Sequence, residues 1–263
     1  MEAVTFRRFE QNSGKKILFC GDDDIDQAAV YLAAIIYAED YDLDYLPSVL
    51  PFLPEISVQD YDLIILSDYP RVLITDQQMH SIRNYVLDGG SFLMIGGWES
   101  FYGRNGEYNN SPVEDILPVK LQEKDDRVNC AQGVLVLPGK EIDPLLKELD
   151  WEHPPLIGGY NAFTAGENSS EHLFGKKIRI SGEEKNVRFQ LSDERIPLLV
   201  TANRGKGTSA ALAFDLAPHW IGGMVDWGKR RKHIDMDRQF IEVGDMYHRF
   251  VRSLLKMLIK EKQ

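Results

Sequence analysis

Apolar residues in the first hundred positions fall into short continuous runs separated by longer stretches with helical spacing. Residues 17–20 (ILFC) form the first run, and its lack of alternation predicts a strand covered on both faces. Residues 26–40 (DQAAVYLAAIIYAED) carry an apolar face wide enough for a buried helix, and the preceding acids are placed to cap its start. Residues 41–55 read as a second extended segment broken by Pro47, Pro51 and Pro54. Residues 61–70 (YDLIILSDYP) give a third strand, and residues 91–97 (SFLMIGG) a fourth. Between these two, residues 75–90 predict a helix with Thr75 as N-cap, Gly89 as stop, and Ile82, Tyr85 and Val86 inward.

This alternation predicts an α/β fold with a mostly parallel sheet, helices on both faces and right-handed crossovers. Ligands in such sheets sit beyond the carboxyl ends of the strands. Three features gather there: the acids after the first strand, Ser67 and Asp68 after the third, and residues 96–100 after the fourth. Residues 101–195 are less regular, with short strands expected at 134–139 and 155–163, a short helix at 141–149 and a loop at 164–172. They read as insertions on one domain spanning 1–263, since no linker separates them. Residues 196–220 predict a β-hairpin turning at NRGKG (203–207). Residues 245–262 predict an amphipathic helix with Tyr247, Phe250, Val251, Leu254, Leu255, Leu258 and Ile259 inward.

Composition narrows the class. Of 263 residues, 43% are hydrophobic and 27% charged, as in an ordinary globular chain able to bury a sizeable core. Mean hydropathy is -0.30, no apolar run is long enough to span a bilayer, and the first residues lack the apolar centre of a secretory signal. Lys and Arg number 30 against 41 Asp and Glu, a net charge of -11, which argues against broad nucleic-acid binding. The local basic run GKRRKH (228–233) reads as a solvated segment or an anion contact. Cys20 and Cys130 lack metal-ligand spacing and suit a reducing cytoplasm.

The fourth strand runs into Gly96-Gly97-Trp98-Glu99-Ser100. A tight strand-to-helix turn of this kind lifts one side chain above a sheet beside backbone N–H groups, the arrangement of a nucleophile elbow. An indole is no nucleophile. Together with YDLIILSD (61–68) and GGSFLMIGGWESFYG (89–103), the stretches SPVEDILPV (111–119), DDRV (125–128), GGYNAF (158–163), PLLVTANRGKG (197–207) and AFDLAPHWIGGMVDWG (213–228) resemble the bacterial glutamine-amidotransferase-like family of this length. That resemblance runs from about residue 16 to the last helix and implies the flavodoxin-like three-layer α/β/α fold of the class I amidotransferase superfamily. It also implies that Trp98 stands where the superfamily carries its cysteine, so glutaminase chemistry is not expected. Fold kinship alone assigns no function.

Other residues offer chemistry beside a plainer alternative. Asp215 and His219 form a potential carboxylate–imidazole general base, with Glu99 as another acid, or His219 simply packs. Trp98, Trp220 and Trp227 either line a pocket as a stacking surface or fill the core. Asp22, Asp23 and Asp68 converge on Mg²⁺ if the first and third strands are neighbours; otherwise one of the acids caps a helix and the rest are solvated. No cofactor is expected apart from that Mg²⁺ alternative. Ligand contacts are expected from Gly96, Gly97, Trp98, Ser100, Asp68, His219 and Trp220. The favoured reading is a non-catalytic module binding a small polar molecule or a partner chain, probed against a hydrolase or sugar-modifying enzyme using His219 and against a Mg²⁺ switch. A homo-oligomer is the default expectation.

Overall fold

In a computed structural model describing residues 5–12, 14–183 and 185–259, the apolar runs become the centre of one large sheet. Its first half comprises β1 (Arg7–Phe9), β2 (Lys16–Gly21), α1 (Val30–Ala38), β3 (Asp42–Leu46), β4 (Leu63–Ser67), α2 (Asp76–Leu87) and β5 (Ser91–Ile95). Then come β6 (Val119–Lys120), β7 (Arg127–Pro138), α3 (Pro144–Lys147), β8 (Leu156–Asn161), β9 (Thr164–Ala165), β10 (Ser170–Ser181) and β11 (Arg188–Leu191). The last elements are β12 (Ile196–Arg204), β13 (Gly207–Leu212), α4 (Pro218–Ile221), β14 (Arg231–Met236), β15 (Gln239–Gly244) and α5 (Asp245–Leu258).

The 11-stranded sheet runs β1-β3-β2-β4-β5-β13-β12-β10-β7-β8, with β11 paired to β10. Pairing is parallel from β3 through β2, β4 and β5 to β13. Every residue of β4 and β5 is buried, which is why these strands read as continuous apolar runs. Beyond β13 the sheet continues in antiparallel pairs. The stretch expected as irregular insertions therefore holds two twelve-residue strands, β7 and β10. Both are partly exposed along most of their length, so their polar residues mask the strand pattern. The expected loop at 164–172 is also part strand, supplying β9 and the start of β10.

Helix α2 begins as its sequence predicts. Thr75 accepts from the Gln78 backbone N–H, and the Gln78 side chain accepts from the N–H of Thr75 in return, closing a capping box. Helix α1 does not. It starts at Val30 with Ala29 in the cap position and no side-chain cap. The acids after β2 are thus not helix caps, and their placement needs another explanation. Helix α5 buries Tyr247, Phe250, Val251, Leu254, Leu255 and Leu258, each worth about 1.5–3 kcal/mol of transfer free energy. Ile259 is buried beside them; the expected continuation over 260–262 lies outside the described residues.

The hairpin at 203–207 forms between β12 and β13, with Gly205 at φ +58°. The second half of the basic run lies on β14, where Arg231 pairs with Asp226 and Glu242. Among the described residues no helix is long and apolar enough to cross a membrane.

Candidate functional site

Register brings three carboxylates to one sheet edge. Gly21 pairs with Ser67, Ser67 with Ile95, and Ile95 with Leu212, so β2, β4, β5 and β13 end level. The next residues of the first two strands are Asp22 and Asp68, both in the left-handed region at φ 46° and 48°, where Asp is tolerated better than most side chains. Gly21 permits the close approach of β2 to β4, since a Cβ there would lie 1.5 Å from the Ser67 carbonyl oxygen. Asp215 follows three residues after β13, and His219 lies on the single turn of α4.

Asp68 and Asp215 are held from behind. The Asp68 N–H donates to Ser100 Oγ (2.9 Å), and Asp68 Oδ1 accepts from the Glu99 N–H (2.8 Å). Gly97 makes room for it: a Cβ there would fall 2.0 Å from Asp68 Oδ1. Asp215, 2% exposed, accepts from the N–H groups of Leu216 and Ala217 on Oδ1. Its Oδ2 lies 3.1 Å from His219 Nε2, yet this buried oxygen has no hydrogen-bond partner. The imidazole is close but not aimed along an N–H···O line. The expected Asp215–His219 contact therefore exists without being the hydrogen bond that would orient a general base.

Burial dominates the electrostatics, and crowding adds to it at Asp22 and Asp68. Burial raises the Asp22 carboxyl well above its ordinary range, with further increases from Asp215, Asp68 and Asp23. Burial likewise raises Asp68, reinforced by Asp215 and opposed by the Glu99 N–H. Burial raises Asp215 too, against the pull of the Ala217 and Leu216 N–H groups.

The turn after β5 departs from the elbow expected of it. No helix follows; the chain proceeds through bends and turns to Gly106, so no helix dipole points at Trp98. Two residues unremarked in the sequence anchor this loop from the antiparallel half. Asn161, fully buried at the end of β8, accepts from the Gly97 N–H (2.8 Å) and donates to the Gly97 carbonyl (3.0 Å) and to Asp126 Oδ1 (2.8 Å). Asp126 in turn accepts from the N–H groups of Tyr102 and Gly103, both at 3.0 Å. Arg127, fixed by Asp125, stacks its guanidinium 4.7 Å from the Trp98 ring centroid. The DDRV and GGYNAF stretches are thus the parts that hold the loop and its tryptophan.

Trp98 remains 48% exposed and lines a cavity of about 310 Å³ with Asp22, Asp23, Asp24, Asp68, Glu99 and His219. The other two tryptophans are elsewhere, correcting the expectation of a shared pocket. Trp220 is buried under β8 with Nε1 donating to Asn129 Oδ1, and Trp227 donates to the His153 carbonyl and packs on Trp151. The proposed Asp22, Asp23 and Asp68 ligand set also changes. Asp23 accepts from Ser48 Oγ (2.6 Å), Asp24 from the Asp26 N–H, and the converging group among the described residues is Asp68, Asp215 and His219. Cys20 is buried in the core, where burial raises its thiol pKa, and Cys130 is on β7; neither lines the cavity. A larger hollow of about 630 Å³ against α2 shares only Glu99 with this one and lacks the carboxylate cluster.

The family model GATase1_like, described as putative glutamine amidotransferase, matches residues 20–234. No curated protein matches the chain. Among solved structures, a cytoplasmic protein from Salmonella typhimurium is 23% identical with a TM-score of 0.71, covering 94% of this chain and 100% of its own. A second cytoplasmic protein, from Salmonella typhimurium LT2, is 24% identical with a TM-score of 0.71, covering 93% and 100%. A cold-adapted beta-galactosidase from Rahnella sp. R3 is 12% identical with a TM-score of 0.51 over 97% of this chain and 32% of its own. These likenesses are of fold.

Proposed function

Because the chain belongs to the GATase1_like family, we propose that it keeps the crevice at the strand ends of that fold, in a flavodoxin-like three-layer arrangement, and uses it to bind a small polar molecule without thiol chemistry. The observation that carries this reading is Trp98: a half-exposed indole, backed by Arg127, over a cavity walled by carboxylates. An apolar ring with acceptors around it suits a donor-rich molecule, such as a sugar, an amino sugar or a small amine. The ring covers a flat apolar face while the carboxylates accept from hydroxyl or ammonium groups. The same wall disfavours phosphates and free carboxylates. Two free thiols and the cytoplasmic Salmonella neighbours support a cytoplasmic setting.

Thermal unfolding against a panel of sugars, amino sugars, amines and glutamine tests this. A ligand at about 100 times its dissociation constant adds roughly 2.7 kcal/mol, raising the melting temperature by several degrees in a chain of this size. The shift is expected for a donor-rich compound and lost in Trp98→Ala. A panel that moves nothing, or a shift that survives the substitution, refutes this reading and turns the search to a partner chain.

A further inference from the structure

We propose that Asp68, Asp215 and His219 hold a divalent first-row cation of the Mn²⁺ or Zn²⁺ kind in this crevice. One donor atom from each of the three side chains lies within 4.8 Å of the others. Around a single ion with bonds of about 2.0–2.2 Å, donor atoms stand roughly 3–4.4 Å apart, so the set closes on an ion with small side-chain movements.

Acidic clusters are common, and crowding alone would not make this one a metal site. The independent observation is Asp215 Oδ2, which is buried, has no hydrogen-bond partner, and lies 3.1 Å from an imidazole nitrogen not directed at it. Two ligands of one ion stand in that relation; a hydrogen-bonded carboxylate and imidazole do not. The rest of the site is organised accordingly. Asp215 Oδ1 is occupied by two backbone N–H groups, which fixes the carboxylate and leaves Oδ2 for the ion. Asp68 is oriented by the Glu99 N–H on Oδ1. Such outer contacts set the direction of metal ligands.

Ligand chemistry selects the ion. Mg²⁺ and Ca²⁺ take oxygen donors almost alone, whereas two carboxylates with an imidazole suit Mn²⁺ and Zn²⁺. A cation also supplies countercharge to Asp68 and Asp215 and to the neighbouring Asp22. Its remaining coordination positions would be available to a hydroxyl or amine of the bound molecule. The inference rests on reading this crevice as the functional one.

The test is calorimetric titration of tag-free protein, stripped with EDTA, using Mn²⁺, Zn²⁺, Mg²⁺ and Ca²⁺ with no organic ligand present. One Mn²⁺ or Zn²⁺ per chain is expected. Affinity should fall about tenfold or more in His219→Ala and vanish in Asp215→Asn, while His233→Ala, at the surface histidine beside Glu242, binds as the wild type does. His219 is half-exposed, so its loss leaves the fold intact. Absence of saturable binding at millimolar concentration, unchanged affinity in His219→Ala, or Mg²⁺ and Ca²⁺ binding as tightly as Mn²⁺ and Zn²⁺ overturns the proposal. None of these outcomes touches the Trp98-dependent shift with organic ligands, so the two readings fail separately.

Discussion

Asn161→Ala is expected to lower the melting temperature more than any substitution among the crevice-lining residues, although Asn161 does not line the crevice. Its side chain makes three hydrogen bonds in a fully buried position, two to the Gly97 peptide and one to Asp126. Truncation leaves the Gly97 N–H and carbonyl unpaired in the interior and removes one donor from a buried carboxylate. A buried polar group left without its partner costs about 1–3 kcal/mol, and more when charged. Roughly 3–5 kcal/mol is therefore at stake, or a melting temperature lower by about 6–15 °C. Asn161→Asp separates charge from shape: it keeps the acceptor for Gly97 but faces Asp126 with a second carboxylate, and is expected to destabilise comparably. Thermal denaturation of both variants checks this. A change within about 1 kcal/mol would mean that the loop after β5 is held by its own turns, and that Asn161 and Asp126 merely fill space.

What the sequence made legible depended on whether a signal was local. The strands β2, β4 and β5 and the helix α2 announce themselves because burial on both faces and a capping box are written in consecutive residues. The gathering of Asp22, Asp68 and the Gly96–Ser100 turn at one edge follows from parallel order alone, and the level strand ends realise it. The role of Asp126 and Asn161 was not legible. Asp126 is one acid within a charged run and Asn161 a lone polar residue in a glycine-rich stretch, and their partners are 23 to 64 positions away. The signal that existed was only that these stretches belonged to the resemblance. Misreading the acids after β2 as helix caps has a similar origin. An acid just before a helical pattern looks like a cap, but a turn over residues 25–29 separates these from α1. Trp220 and Trp227 misled because indoles at a sheet edge suit stacking and packing equally, and only their Nε1 partners decide.

Asp68→Asn is expected to raise the stability of the cation-free protein, an unusual direction for a substitution at a partly buried, hydrogen-bonded polar site. Asp68, Asp215 and Asp22 crowd one edge, and Asp215 Oδ2 has no donor. An asparagine keeps the acceptor that binds the Glu99 N–H, tolerates the left-handed backbone at φ 48°, removes one like charge, and brings an amide donor within reach of Asp215. Satisfying a buried acceptor and relieving that repulsion is worth on the order of 1–3 kcal/mol, or roughly 2–10 °C in melting temperature. Asp68→Ala is the control: it relieves the same repulsion but loses the Glu99 contact and places alanine in a backbone region it disfavours, so its gain should be smaller or reversed. Addition of Mn²⁺ or Zn²⁺ should then invert the ranking, because the wild type gains about 4.1 kcal/mol at about 1,000 times the dissociation constant and Asp68→Asn gains nothing. If Asp68→Asn is instead less stable in EDTA, the crowded carboxylates are already neutralised by shared protons and their arrangement is part of what holds the sheet edge together. A gain in EDTA that cation reverses would identify the cluster as a site maintained against the stability of the fold, which is the pattern of residues kept for binding.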